Sequence, residues 1–386
     1  MRIEGDGTGA LPRTLAELAA GIDGGLHLGG QLFVARRGGT LADLAFGEAR
    51  PGEPMRRDHR MLWLSSSKPV TALLVARLWE RGRLELDDPV ARHLPEFAAG
   101  GKERVTLRHL LTHTGGFRLL DVGWPEKSWE EILARIATAR LEPRWIPGEK
   151  AGYHQTSSWF VLGEIARRLA GAARFADLAR EEIFRPLGLD QCSIGMPVET
   201  YREVAPALAP MWNTAGGRRA EHLWSDEMRV VRPSPGGNGW GPIRELGRLY
   251  VALAAGGALG GVRLVTPQTV EALSARHRVG LFDHTFRAHL DWGLGFIPNS
   301  AWRGDPRAPY QYGPHASRRA FGHSGYRSST AFADPEHGLA VALAVNGTPA
   351  DDVHRERFSR LTAAIYEDLG LAPRAGSETL PPPVAM

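Results

Sequence analysis

The sequence predicts an α/β (α+β) protein in which an antiparallel sheet, flanked by helices, carries an inserted and mostly helical sub-domain. Two observations lead to this class. Runs of β-type residues occur near both ends of the 386-residue chain, whereas helical periodicity dominates residues 70–232. Strands so far apart bury their apolar faces by pairing in one sheet. We therefore predict an α/β sheet domain over residues 1–62 and 236–371, a helical sub-domain over 63–235, and a flexible tail over 372–386.

The N-terminal elements are predicted to be a helix and a hairpin. Apolar side chains recur at helical spacing over residues 11–24, which is typical of an amphipathic helix. Residues 31–37 form a β-type run, and Gly38-Gly39 then turns the chain into a second strand that passes Phe46. These two strands supply the N-terminal part of the predicted sheet.

The middle and C-terminal elements follow from the same periodicities. Residues 196–235, rich in Pro, Gly, Arg and Trp, are predicted to be loops. Strands are predicted over residues 292–296, 330–333 and 339–345. Helices are predicted over residues 106–112, 129–138, 156–169, 175–184, 246–255, 267–275 and 353–369.

Composition and charge argue against several classes of protein. The chain is 43% hydrophobic and 23% charged with a net charge of +4, and its basic residues are scattered, so nucleic-acid binding is not expected. No apolar run is long enough to span a membrane and the first residues lack a leader pattern, so we expect a cytoplasmic protein without a membrane partner. Cys192 is the single cysteine, and no metal, P-loop or dinucleotide motif occurs, so no disulfide, metal or cofactor is expected.

Ser65 and Lys68 stand three residues apart at the start of an apolar helix that ends near Gly82. This spacing places both side chains on one helix face, and the unpaired N–H groups at the helix N-terminus favour negative charge. A lysine amine beside a serine hydroxyl is an activated nucleophile without histidine, with the signature Ser-x-x-Lys. A capping serine with Lys68 in solvent is the competing interpretation, and this stretch alone does not decide between the two.

Tyr153 and Gln155 are candidate partners of this serine. In an extended segment they point the same way, whereas His154 points away. A phenol has a pKa near 10, and lowering that pKa to ~7.5 requires about 3.4 kcal/mol. One lysine cation at ~4 Å supplies about 4 kcal/mol at an effective dielectric of 20, so Lys68 can make Tyr153 a general base. His154 is the rival base, and a tyrosine that only anchors the following helix is the alternative without catalysis.

The segment 321–326 offers a place for the substrate. Gly325 allows a substrate to lie against the backbone like an additional strand. The backbone N–H groups of Ser65 and Tyr326 are then the two predicted donors of an oxyanion hole. A glycine required by a turn is the alternative interpretation. Ser324 lacks the glycine spacing of a Gly-x-Ser-x-Gly elbow and is not predicted to be the nucleophile.

Together these motifs resemble those of the class C β-lactamase-like serine hydrolases. The resemblance covers roughly residues 25–370 and includes further stretches at 105–116, 147–150 and 292–296. It implies a three-layer α/β sandwich with an inserted helical domain. It also implies that the serine attacks a carbonyl to form an acyl-enzyme while the lysine and the tyrosine move the proton. The motifs that carry the resemblance are Ser65-x-x-Lys68, Tyr153-x-Gln155 and His323-Ser324-Gly325.

Two departures from the family pattern bear on the substrate. Gln155 stands where the family has Asn, so the amide that orients Lys68 or the substrate is on a longer side chain. The family's Lys-Thr-Gly element reads His323-Ser324-Gly325, which replaces a cation by a mostly neutral imidazole at pH 7. Such a site binds a drug carboxylate less well, and esterase-like relatives resemble this chain there.

We therefore expect a serine hydrolase or acyl transferase that acts on a small-molecule ester or amide through a Ser65 acyl-enzyme. It is predicted to be a carboxylesterase or a biosynthetic transacylase with an amine or alcohol acceptor. A β-lactamase or D-Ala-D-Ala peptidase is one alternative, and a non-catalytic binding or sensing module of the same fold is another. The predicted substrate-binding residues are Gln155, His323, Ser324, Gly325 and Trp240. Six tryptophans can line an apolar pocket, with ordinary packing as the alternative for each: Trp124, Trp145, Trp212, Trp224, Trp240 and Trp302.

Overall fold

An antiparallel sheet lies at the centre of the computed structural model, which describes residues 1–217, 219–305, 308 and 312–372. The predicted flexible tail lies outside the described residues except for its first position. The strands are β1 (Ile3–Asp6), β2 (Gly29–Arg36), β3 (Gly39–Arg50), β4 (Glu53–Pro54), β5 (Met61–Leu64), β6 (Ser193–Ile194), β7 (Trp212–Asn213), β8 (Ala220–Glu221), β9 (Gly239–Gly241), β10 (Ala258–Leu259), β11 (Val262–Arg263), β12 (Arg278–Asp283), β13 (Ala288–Trp292), β14 (Ile297–Pro298), β15 (Phe321–Gly325), β16 (Ser329–Asp334), β17 (Leu339–Val345) and β18 (Gly347–Thr348). The α-helices are α1 (Pro12–Asp23), α2 (Lys68–Glu80), α3 (Val90–His93), α4 (Leu107–Leu111), α5 (Trp129–Thr138), α6 (Ser157–Ala170), α7 (Phe175–Ala179), α8 (Val198–Val204), α9 (Glu227–Val231), α10 (Ile243–Ala254), α11 (Pro267–Ser274) and α12 (Asp351–Asp368).

The central sheet joins strands from both ends of the chain. Its order is β1-β3-β2-β17-β16-β15-β14, with β4 attached to β3, and every pairing is antiparallel. Where β2 meets β17, Val34 lies opposite Val341 and Leu32 lies opposite Leu343. The prediction of one antiparallel sheet built from N-terminal and C-terminal strands is confirmed.

Side-chain size alternates along β17 and determines which helices cover each face of the sheet. Large residues such as Leu339 and Val341 pack with α1 and α12, whereas alanines such as Ala342 belong to the core on the opposite face. On that opposite face α10 approaches so closely that a Cβ added at Gly247 would lie 2.2 Å from Phe33 Cδ1. The α1–α12 layer, the sheet and the α10 layer form the predicted three-layer sandwich.

The helical middle of the chain shares its apolar core with the sheet. Helix α2 packs on α6, and one cluster contains Ala72 of α2, Phe160 of α6, Leu246 of α10 and Phe33 of β2. Apolar contacts therefore continue across the boundary predicted between the two units. The bounds of those units stay a prediction.

Two predicted segments differ from the structure. Residues 196–235, predicted to be loops, contain α8, α9, β7 and β8, which are too short to produce a clear period. Residues 292–296, predicted to be a strand, contain the end of β13 and a turn. Gly295 has φ +76°, and a Cβ added at Gly293 would lie 2.4 Å from the Leu273 carbonyl oxygen, so the chain bends there.

Among the described residues, no helix combines the length and the apolarity that crossing a bilayer requires. The same residues contain no group of three or more His, Cys, Asp or Glu side chains placed to share a metal ion.

Candidate active site

Ser65 lies in a strained connection between a strand and a helix. Strand β5 ends at Leu64, and the 3₁₀ turn Ser65–Ser67 leads into α2. Leu64 has φ 50° and ψ −131°, a conformation that a bulky residue adopts only under constraint. Ser67 supplies this constraint, because its Oγ donates to the Leu64 carbonyl at 2.6 Å and accepts the Gly239 N–H at 2.8 Å.

The turn is also bonded to the central sheet. Ser66 Oγ donates to the His323 carbonyl at 3.1 Å, and Ser329 Oγ donates to the Trp63 carbonyl at 2.8 Å. His323 belongs to β15 and Ser329 to β16, so this hairpin fixes the turn from the sheet side. The candidate nucleophile therefore lies where the helical middle of the chain meets the sheet.

Ser65, Lys68 and Tyr153 meet at one oxygen atom. Lys68 Nζ lies 3.0 Å from Ser65 Oγ, and the Tyr153 hydroxyl lies 2.8 Å from the same atom. Lys68 Nζ also donates to the Gly236 carbonyl at 2.7 Å and lies 4.9 Å from the centre of the Tyr153 ring. Lys68 and Tyr153 are buried, whereas Ser65 is partly exposed. The structure thus brings together residues from two motifs that are far apart in the sequence.

Burial determines the protonation state that this site favours. It lowers the pKa of Lys68 well below the ordinary lysine value. His113 and His323 are also buried, and burial lowers the pKa of each imidazole well below its ordinary value. The surroundings therefore penalise the ammonium form of Lys68 relative to a lysine in water. This direction favours a lysine that accepts a proton over a fixed cation that lowers the pKa of Tyr153.

His154, the rival base, makes its contacts elsewhere. Its side chain is fully buried, and its Nε2 accepts the Phe117 N–H at 3.2 Å. Burial lowers the pKa of His154 to about 3. An imidazole with so low a pKa is a poor base at neutral pH, so both position and chemistry argue against His154.

Strand β15 carries three residues that were predicted to bind substrate. His323 is fully buried, and Ser324 Oγ is bonded to Thr330 Oγ1 at 2.9 Å. A Cβ added at Gly325 would lie 2.4 Å from the Trp63 carbonyl oxygen, so the protein's own packing requires this glycine. A direct contact of these residues with substrate stays a prediction.

The two predicted oxyanion donors are the N–H groups of Ser65 and Tyr326, which come directly after Leu64 and Gly325 in the chain. A Cβ added at Gly325 would lie 3.0 Å from Leu64 Cβ, so the residues that precede Tyr326 and Ser65 are in contact. Within the described part of the chain, neither of the two predicted donor N–H groups donates a hydrogen bond to the protein. An oxyanion hole requires two such donors beside the serine hydroxyl, and this role of Ser65 and Tyr326 stays a prediction.

A cavity of about 390 Å³ has Leu64, the residue before Ser65, and Gln155 on its wall. Gln155 is exposed on its wall and makes no hydrogen bond with Lys68, so its amide is available to a substrate. Two other polar wall residues are engaged within the protein, since Asn238 Oδ1 accepts the Ser234 N–H at 2.7 Å and Arg229 is paired with Asp226. The lining residues are Leu62, Leu64, Trp124, Gln155, Trp224, Arg229, Gly237, Asn238 and Tyr326.

The six tryptophans predicted to line a pocket have different positions. Trp124 and Trp224 lie on the cavity wall. Trp240 is 0% exposed in β9 and packs with Leu62 and Met211 in a core cluster. A fully buried indole does not contact a substrate in the cavity, so the prediction for Trp240 is wrong. The cavity wall also lacks Trp145, Trp212 and Trp302.

Several wall residues were missed by the sequence analysis. Leu62 and Leu64 flank the buried Trp63 on β5, and this alternation next to Ser65 is a signal that could have identified them. Arg229 lies in the stretch predicted to be loops, far along the chain from Ser65, and no local pattern indicates its place on the wall.

The chain is similar to known proteins over most of its length. The family model described as Beta-lactamase matches residues 16–364. Esterase EstB of Burkholderia gladioli is 30% identical over 363 residues, which cover 83% of this chain and 86% of EstB. Esterase/beta-lactamase LipL of Mycobacterium tuberculosis is 28% identical over 344 residues, which cover 82% of this chain and 77% of LipL. The crystal structure of a family VIII carboxylesterase is 27% identical with a TM-score of 0.80, and the match covers 95% of this chain and 100% of that chain.

Proposed function

The chain belongs to the beta-lactamase family, and from this membership and the geometry at Ser65 we propose that it is a serine hydrolase that cleaves esters through an acyl-enzyme. The observation that carries the proposal is the convergence of the Lys68 amine and the Tyr153 hydroxyl on Ser65 Oγ, at 3.0 and 2.8 Å. At these distances a proton can leave the serine without a rearrangement. The names of the relatives EstB and LipL support ester cleavage.

Acylation begins when Ser65 Oγ attacks the ester carbonyl carbon and the neutral Lys68 amine accepts the serine proton. Negative charge develops on the carbonyl oxygen, where the N–H groups of Ser65 and Tyr326 stabilise it. The bond between the carbonyl carbon and the leaving oxygen then breaks. Tyr153 donates a proton to the departing alcohol and recovers one from Lys68, which leaves a neutral alcohol and an acylated Ser65.

Deacylation repeats these steps with another nucleophile. Water that attacks the acyl carbon gives an acid and restores Ser65, whereas an amine or alcohol gives acyl transfer. Transfer is the second candidate activity, and the cavity of about 390 Å³ beside Ser65 supports it by offering room for an acceptor. The apolar wall around Leu64, Trp124 and Trp224 supports an apolar acyl group in the small-molecule donor.

A β-lactamase or D-Ala-D-Ala peptidase is the weaker alternative. Burial lowers the pKa of His323, which therefore offers no cation to a substrate carboxylate at neutral pH. Arg229, the arginine on the cavity wall, is already paired with Asp226. A non-catalytic module is the other alternative, and it requires an unreactive Ser65.

The proposal is tested by labelling with a fluorophosphonate and by hydrolysis of p-nitrophenyl butyrate. Wild type should gain one phosphonyl adduct on Ser65 and release nitrophenol, and Ser65→Ala should do neither. Ser359→Ala, at an exposed serine of α12, serves as the control and should keep the adduct. Mass spectrometry of products formed with an added alcohol separates hydrolysis from transfer. An unlabelled wild type, or full turnover by Ser65→Ala, contradicts the proposal, and faster turnover of a β-lactam than of the ester favours the alternative.

A further inference from the structure

Both backbone polar groups of Tyr153 are bonded to one distant turn. The Tyr153 N–H donates to Asp283 Oδ1 at 3.2 Å, and the Tyr153 carbonyl accepts the Thr285 hydroxyl at 3.1 Å. Asp283 ends β12, and Thr285 lies in the turn between β12 and β13. Tyr153 itself lies in a segment without regular secondary structure. Its backbone is therefore held by tertiary contacts rather than by a helix or a strand.

The same turn contacts the Tyr153 ring and the preceding backbone. The Phe286 ring packs on the Tyr153 ring with 4.8 Å between their centres. The His284 N–H donates to the Ala151 carbonyl at 2.9 Å. The turn thus holds Tyr153 at its amide, its carbonyl and its ring.

Asp283 is fixed by further bonds. Its Oδ1 also accepts the N–H groups of Thr285 and Phe286, at 2.9 and 3.0 Å, so one oxygen orders the turn and bonds to Tyr153. Its other carboxylate oxygen lies 3.0 Å from Arg278 Nη2, with both side chains at most 1% exposed. A buried carboxylate with these bonds has little freedom to move.

We propose that the turn over residues 283–286 positions the Tyr153 hydroxyl for proton transfer at Ser65, with Asp283 and Thr285 as positioning residues. Neither residue contacts Ser65, so both act through Tyr153. The inference depends on the proposed function, because it concerns the proton path of that reaction. A displacement of about 1 Å at a reacting group can cost about 10²-fold in rate, so a looser Tyr153 segment lowers kcat.

Thr285→Val is the decisive variant. Thr285 is exposed in its turn, so valine keeps the side-chain shape while the hydroxyl bond to the Tyr153 carbonyl is lost. We expect kcat for p-nitrophenyl butyrate to fall about tenfold, with KM and melting temperature near wild type. Thr285→Ser restores the hydroxyl and should recover most of kcat. Thr138→Val removes a hydroxyl bond of the same type, from Thr138 to the Ala134 carbonyl at 3.0 Å on α5, and should leave kcat unchanged.

A double variant separates positioning from a general structural role. Thr285 Oγ1 also accepts a hydrogen bond from Arg118 at 3.3 Å, so the test needs a readout that depends on Tyr153. In a Tyr153→Phe background the phenol is absent, and adding Thr285→Val should not lower the residual kcat further. A wild-type kcat in Thr285→Val, or the same tenfold loss in the Tyr153→Phe background, overturns the inference.

The two proposals fail in different ways. An unlabelled Ser65 in wild type overturns the proposed function and this inference together. A labelled wild type with an unchanged Thr285→Val variant overturns the inference alone. The inference is supported if Thr285→Val lowers kcat tenfold when Tyr153 is present but not in the Tyr153→Phe background, while kcat of the Thr138→Val control stays unchanged.

Discussion

At the scale of single residues, the proposed chemistry depends most directly on Lys68. Its side chain is fully buried and donates to the Gly236 carbonyl at 2.7 Å. Burial penalises the ammonium form and so lowers the pKa of Lys68 well below its ordinary value. Because folding lowers this pKa, the ammonium form is less favourable in the folded chain than in the unfolded chain. The burial that favours the proposed role of Lys68 as a base therefore reduces the stability of the fold wherever the unfolded lysine is protonated.

Lys68→Met should remove the proposed base. It should also remove the pH-dependent contribution of Lys68 to the free energy of unfolding. Because folding lowers the pKa of Lys68, the unfolded chain holds an additional proton at pH values between the two pKa values. The contribution of Lys68 to the free energy of unfolding therefore rises with pH in this window, by up to about 1.4 kcal/mol per pH unit. In urea unfolding, wild type should gain stability relative to Lys68→Met as the pH is raised from neutral. Ester turnover by the variant should fall by at least about 10²-fold.

An exposed lysine provides the matched control for this experiment. Lys127 is 43% exposed and paired with Glu131 at the surface, so Lys127→Met should follow the wild-type pH dependence and keep ester turnover. Parallel stability curves for wild type and Lys68→Met would show that the folded protein keeps a charged Lys68. An active Lys68→Met would remove Lys68 from the mechanism.

The proximity of two side chains could be predicted where it follows from their spacing along the chain. Ser65 and Lys68 are three positions apart at the start of a helix, and the structure places Lys68 Nζ 3.0 Å from Ser65 Oγ. Burial does not follow from local spacing, and this explains the difference at Trp240, which was predicted to line a pocket although its side chain is fully buried. Asp283 carries no local pattern, because its bond to Tyr153 joins residues 130 positions apart.

At the scale of secondary-structure elements, the packing of α10 on the sheet is sensitive to one methyl group. A Cβ added at Gly247 would lie 2.2 Å from Phe33 Cδ1, well inside contact distance. Gly247→Ala should therefore destabilise the protein by about 1–3 kcal/mol through overpacking, measured as a lower urea midpoint. Gly9→Ala is the control, since no atom lies within 4 Å of the added Cβ. It should be neutral or stabilising by up to about 1 kcal/mol, and an equal effect of both substitutions would contradict the packing argument.

Elements with a sustained period were predictable, and short ones were not. The helix predicted over residues 129–138 coincides with α5 (Trp129–Thr138), and the strand predicted over 339–345 coincides with β17 (Leu339–Val345). The five residues of α9 (Glu227–Val231) span little more than one turn and give no period to detect. Trp292 ends a strand because Gly293 packs against the Leu273 carbonyl, a contact that local sequence does not reveal.

At the scale of the whole molecule, the fold class followed from where the strands occur along the chain. Strands near both ends could bury their apolar faces by pairing with each other, and β2 does pair with β17. The site then formed where the chain passes from this sheet into helices, because the turn after β5 is bonded to the β15–β16 hairpin. The division into two units is a separate matter, since the sequence gives no information on how far one core extends into the other.

The extent of the shared core predicts how the molecule unfolds. One apolar cluster contains Phe33 and Leu246 from the predicted sheet domain and Ala72 and Phe160 from the predicted helical sub-domain. Because neither unit can unfold without exposing the apolar surface of the other, we expect one cooperative urea transition. Far-UV circular dichroism and tryptophan fluorescence should give coincident curves, and pulse proteolysis across the transition should cleave both units at the same urea concentration. Release of a protected fragment that lacks residues 63–235 at intermediate urea would show instead that the helical middle unfolds on its own.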